Sequence, residues 1–152
     1  MPDLFTHFAS GYLISRVPNL RRYTAFLALG AILPDILTRI PEILLDRLLG
    51  IPIFHFLNIF HSPFCLLLVS YIISLTFEFK IRLIAFLFIF IGSCLHVILD
   101  LMQKQFGEGV YMPYFPFSLE TIQWGLFHFN ASVTLFPIIF VIVVVAWLFT
   151  RN

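Results

Sequence analysis

Apolar positions fill the chain in long runs, separated by short stretches that carry proline or charge. Two runs approach membrane length: Pro63 to Phe79, opened by a proline suited to the first turn of a helix, and Ile81 to Leu101. A tight turn at Glu78 to Arg82 joins them. A third run, Ala131 to Phe149, contains no ionisable residue and reads as a scaffold helix. Nearer the start, Leu4 to Ile14 and Tyr23 to Leu33 are shorter. At about 1.5 Å per residue neither can cross a hydrocarbon core of about 30 Å unaided. They predict a helical hairpin turning at Arg16, Arg21 and Arg22. Because a proline disfavours the helical conformation of the residue before it, the second arm is expected to break at Pro34-Asp35.

The stretches between are more mixed. Arg39 to Gly50 sets Arg39, Glu42, Asp46 and Arg47 among leucines and isoleucines, the pattern of a helix lying in the membrane interface. Gln103 to Asn130 is a polar-leaning connection whose Gly107, Gly109, Pro113 and Pro116 oppose a continuous helix. The expected fold is all-α: one polytopic membrane helical bundle over residues 1–152, with a short N-terminal helical hairpin and three clear spanning helices.

Composition agrees. Of the 152 residues 61% are hydrophobic and 11% charged, and the mean hydropathy is +1.01, more apolar than a soluble domain can cover with polar surface. This makes the chain an integral protein of the plasma or inner membrane, with membrane lipid as its surroundings. A net charge of +1 from scattered lysines and arginines forms no basic stripe, so nucleic acid is not an expected partner. Cys65 and Cys94 lie inside apolar runs and read as small hydrophobes rather than a disulfide. The first residues lack the basic and small-residue pattern of a cleaved signal peptide, so Met1 onward is expected in the mature protein.

Candidate chemistry enters at the ends of the apolar runs. His96 and Asp100, four residues apart, share one helix face. Alone, such a pair is as often a structural hydrogen bond as a pair of metal ligands. However, His7, Asp35 and His61 also lie at ends of apolar segments. If each hairpin crosses and returns, all five fall at one membrane face. Ionisable groups near membrane depth are costly and are first suspected of function. His55 and His128 read as interfacial. Arg16, Arg21, Arg22, Lys80, Arg82 and Arg151 then occupy the opposite face, while Arg39, Arg47 and Lys104 share the His/Asp side. The positive-inside rule accordingly turns the His/Asp side outward.

His7, Leu33-Pro34-Asp35, His61-Ser62, His96-x-x-x-Asp100 and Met112-Pro-Tyr-Phe-Pro-Phe-Ser118 together resemble the YdjM-like family of membrane-bound, metal-dependent hydrolases, a group that looks distantly similar to zinc-dependent phospholipase C and P1 nuclease. The resemblance runs from His7 to Ser118. It implies His7, Asp35, His61, His96 and Asp100 as ligands of zinc or a similar ion, with Asp35 and Asp100 also the catalytic candidates. The family commonly has a second acidic residue where this chain has Leu37, and a further histidine at a spacing that His55 misses by one. The resemblance therefore implies one or two Zn²⁺ ions rather than a larger cluster.

Histidine nitrogen and carboxylate oxygen suit Zn²⁺, and an ion with one open position makes water a nucleophile at neutral pH. No serine or cysteine stands with a matched base, which favours activated water over covalent catalysis. Arg39, one helical turn beyond Asp35, is the candidate to steady a phosphate. The expected activity is hydrolysis of a small phosphoester or a phospholipid. Two other readings stay open: a non-catalytic metal-binding or transport protein, and a structural membrane protein whose His and Asp only tune the interface. Against transport, Ala131 to Phe149 and most of Pro63 to Phe79 lack polar residues that could line a path.

Overall fold

The computed structural model describes residues 4–50, 57–104, 111–128 and 130–150, without the side chains at 46, 47, 132, 133 and 150. Helix α1 spans Leu4–Ile14, and a 3₁₀ turn at Arg21–Tyr23 leads into α2, Thr24–Pro41. A π-helical stretch, Glu42–Arg47, follows. After a second 3₁₀ turn at Asn58–His61 come α3, Pro63–Ser74, and α4, Phe79–Met102. Two-residue strands β1, Gln103–Lys104, and β2, Phe127–His128, pair in parallel, and α5 is Asn130–Thr150.

The hydrophobic pattern places α4 at the centre. Its buried positions include Ala85, Ile89, Gly92, Ser93, His96 and Asp100, while Leu83, Leu87, Ile91 and Ile98 face outward. On α3, Ser70 and Ser74 are buried while Leu67, Leu68 and Ile72 are exposed. Apolar side chains outside and hydroxyls within is the arrangement expected where hydrocarbon is the solvent.

Glycines set the tightest contact, between α2 and α4. A Cβ on Gly30 would lie 2.1 Å from the Ile89 carbonyl oxygen, and one on Gly92 would lie 2.4 Å from that of Leu27. Both obstacles are backbone, so only glycine permits the approach. Tyr23 stacks on Phe88 with ring centroids 4.0 Å apart and Ala31, further along α2, meets His96, further along α4, so the two helices run the same way. α1 packs on α2, α3 on α4, and α5 on α1, where Phe5 meets Phe136.

Several boundaries differ from the sequence reading. Among the described residues, only Phe79–Met102 is a helix long and apolar enough to cross a membrane, not three. α3 stops at Ser74 after 12 residues, about 18 Å. The hydroxyls of Ser74 and Thr76 donate to the carbonyls of Tyr71 and Ile73, competition that helps end the helix and moves the turn ahead of Glu78. The described apolar part of α5, Thr134–Phe149, is also shorter than a full span. Nor does the chain break at Pro34-Asp35: α2 runs through Pro34 to Pro41. Contacts from α4, given below, take up the backbone group that the proline leaves without a partner. Cys65 and Cys94 are free and only half-buried.

Candidate metal centre

Each of the five ligand-type side chains reaches the same interior point from its own segment. His7 sits in the first turn of α1, Asp35 past the middle of α2, His61 at the end of the 3₁₀ turn before α3, and His96 and Asp100 near the end of α4. All five are buried, His7, His61, His96 and Asp100 completely. Ser62 caps α3 by accepting from the Cys65 backbone N–H at 3.2 Å, and Pro63 begins the helix. That local geometry turns the preceding His61 inward.

Asp100 lies at the centre. Its Oδ1 is 3.3 Å from His7 Nε2, and its Oδ2 is 3.3 Å from His96 Nε2 and 3.6 Å from His61 Nε2. Asp35 Oδ2 lies 4.0 Å from His7 Nε2. The His7 and His96 rings stack with centroids 3.7 Å apart. Two sets of three have their ligand atoms within 4.8 Å of one another: His7, His96 and Asp100, and Asp35, His61 and His96. His96 belongs to both.

One hydrogen bond constrains the proton positions. His96 Nδ1 is 2.7 Å from the Ala31 carbonyl oxygen. A carbonyl can only accept, so Nδ1 carries the hydrogen and, in the neutral ring, Nε2 presents a lone pair. That lone pair faces a carboxylate, also an acceptor. Both oxygens of Asp100, Nε2 of His96, both ring nitrogens of His7 and of His61, and Oδ1 of Asp35 are buried with no hydrogen-bond partner among the described residues. The lone pair of His96 Nε2 and the carboxylate oxygen 3.3 Å away are two buried acceptors facing each other, a costly arrangement that a shared cation would relieve. Burial pushes the His61 imidazole down to about 3, against the opposing pull of Asp100, and so keeps it neutral. Three imidazoles and two carboxylates, one imidazole anchored through its far nitrogen to a backbone carbonyl, fit a divalent ion of the zinc type.

The remaining candidates lie elsewhere. Arg39 is half-exposed at the end of α2, its Nη1 3.4 Å from Glu42 Oε2. His128 is exposed on β2, and His55 lies outside the described residues. Leu37 packs against the apolar cluster of Leu33, Ala85 and Ile89, on a face of α2 where a further carboxylate ligand would be out of place. Of the connection from Gln103 to Asn130, residues 105–110 and 129 are outside the description, but Tyr111 is buried with its ring centroid 4.7 Å from that of His61. Nothing in the chain's apolar pattern singles out Tyr111, and little singles out Ser93. Ser93 carried a faint signal, since it precedes His96 by three positions and so shares its helix face.

Fold and site together describe a helical membrane protein whose bundle closes around a buried His/Asp cluster. The chain belongs to the YdjM inner membrane protein family, whose sequence model matches residues 1–152, taking in α5 as well as the motif-bearing region. No curated protein and no solved structure matches it.

Proposed function

We propose that this protein is a membrane-bound, metal-dependent hydrolase of a phosphoester, such as a phospholipid. The observation that carries the reading is the buried lone pair of His96 Nε2 facing Asp100 Oδ2 at 3.3 Å, two acceptors that a divalent cation would reconcile. His7, Asp35, His61, His96 and Asp100 would hold one or two such ions, Zn²⁺ being best suited to this ligand set. A divalent ion there supplies Lewis acidity, which makes water a competent nucleophile at neutral pH. The chain's own residues do the rest. Asp35 and Asp100 would orient the attacking water, one of them taking its proton and passing it to the departing alkoxide, and the Ala31 carbonyl keeps His96 in one tautomer. Arg39, half-exposed and one turn from Asp35, neutralises the substrate phosphate. The phosphoester class follows from the resemblance to phospholipase C and from the membrane setting. The arginines of the α1–α2 turn at the far end of the bundle favour an outward-facing site by the positive-inside rule.

The test is metal analysis and hydrolysis on the same purified protein. Protein loaded with Zn²⁺ or Mn²⁺ should cleave at least one member of a panel of phospholipids and nucleotide esters, lose activity to a chelator, and regain it when metal returns. His96→Ala should abolish both binding and turnover, while Arg39→Ala should chiefly raise KM. Metal bound tightly without hydrolysis across the panel would transfer the assignment to the metal-binding alternative.

A further inference from the structure

Pro34 has no backbone N–H, so the Gly30 carbonyl four residues earlier lacks its ordinary donor inside α2. An orphaned buried carbonyl usually costs a helix its continuity, yet α2 continues to Pro41. The donor comes from α4: the Ser93 hydroxyl, completely buried, donates to the Gly30 carbonyl at 3.0 Å. Re-satisfaction of this kind by a serine on a neighbouring helix is how membrane bundles accommodate proline. The next carbonyl along α2, that of Ala31, accepts from His96 Nδ1 at 2.7 Å. Ser93 and His96 are three apart on one face of α4, and their acceptors are adjacent on α2. The two bonds thus form a single two-point junction. Gly92, beside Ser93, lets the backbones come close enough for a side chain as short as serine to reach.

We propose that Pro34 and Ser93 are positioning residues for His96: the missing N–H of Pro34 draws the Ser93 hydroxyl across to the Gly30 carbonyl, and that contact seats His96 Nδ1 on the Ala31 carbonyl with Nε2 aimed at Asp100. The proline acts through its absent donor rather than as a helix breaker. The part that concerns metal rests on the reading of the cluster as a metal centre. The junction between the helices does not depend on it.

A double-mutant cycle on the full-length protein in detergent separates the two parts. Ser93→Ala, Pro34→Ala and the double variant are compared by melting temperature without metal, by Zn²⁺ affinity against a chromophoric chelator, and by the visible spectrum of the Co²⁺-loaded protein. Ser93→Ala should lower the melting temperature by several degrees. It should also weaken Zn²⁺ binding about 10-fold or more, the usual effect of removing a contact that supports a ligand, and alter the Co²⁺ spectrum. In the Pro34→Ala background the Gly30 carbonyl regains an N–H, so the thermal penalty of Ser93→Ala should at least halve. Zn²⁺ affinity should stay low, because His96 has still lost its neighbouring contact. A merely structural role predicts that stability and affinity recover together, and that result would overturn the positioning claim. Equal thermal penalties in both backgrounds would overturn the role of Pro34. If Ser93→Ala alone does not accumulate in folded form, rescue of folding by adding Pro34→Ala supports the coupling and absence of rescue refutes it. Wild-type protein that binds neither Zn²⁺ nor Co²⁺ would remove the metal centre and the positioning claim with it, while the thermal cycle would still decide the junction.

Discussion

Asp100 is the carboxylate on which three of the histidines converge. It is completely buried, and its two oxygens lie 3.3 to 3.6 Å from three imidazole nitrogens without a hydrogen bond to any of them. Asparagine has nearly the same shape and adds donors. Asp100→Asn would let the amide donate to His96 Nε2, so the metal-free variant should melt at or above the wild-type temperature. The same change removes the negative charge that a cation needs. Wild-type stability should rise on saturation with Zn²⁺, by about 2.7 kcal/mol at a hundredfold excess over Kd, and that rise should vanish in Asp100→Asn. Differential scanning fluorimetry with and without Zn²⁺ reads both effects. A variant that melts well below wild type and keeps its Zn²⁺ response would contradict this account of the site. In the sequence, four-residue spacing was enough to place His96 and Asp100 together. What it could not reveal was the tautomer of His96, which depends on a carbonyl 65 residues away.

At the scale of elements, the α2–α4 contact holds the site together, and its tolerance is small. Gly92→Ala would put a methyl carbon 2.4 Å from the Leu27 carbonyl oxygen, and backbone on both sides leaves little to yield. The expected loss is about 1–3 kcal/mol, typical of an overpacked interface, together with weaker metal binding, since Ser93 and His96 move with the glycine. Gly50→Ala is a control: a Cβ there meets nothing within 4 Å, although its φ of +66° adds some backbone strain. Thermal denaturation of both variants in the same detergent makes the comparison, and equal losses would show that the helix crossing is not the sensitive point. Weighed against its own helix alone, Pro34 is a stop. The competing term, a serine on another helix replacing the lost donor, is invisible in a local window.

For the whole molecule, the open matter is which way the bundle faces. The α1–α2 turn gathers Arg16, Arg21 and Arg22 at the end remote from Asp100, and Lys80 and Arg82 open α4 at the same end. With Cys65 and Cys94 replaced, a single cysteine at Phe117, 92% exposed, should react with a membrane-impermeant reagent on intact cells. One at Lys80 should react only after the membrane is opened. The reverse pattern would invert the orientation and leave the cluster as it is. Hydropathy pointed to a membrane and to helices, because long apolar runs accumulate along a sequence, and the family match supports the membrane setting. Spacing and segment ends likewise sufficed to nominate His7, Asp35, His61, His96 and Asp100 as one group. Helix lengths and the path through Pro34 required the tertiary structure, as did Tyr111 against His61 and the bond between His96 and Ala31. Each of these depends on where a donor or a ring from a distant segment comes to rest, and only packing in three dimensions decides that.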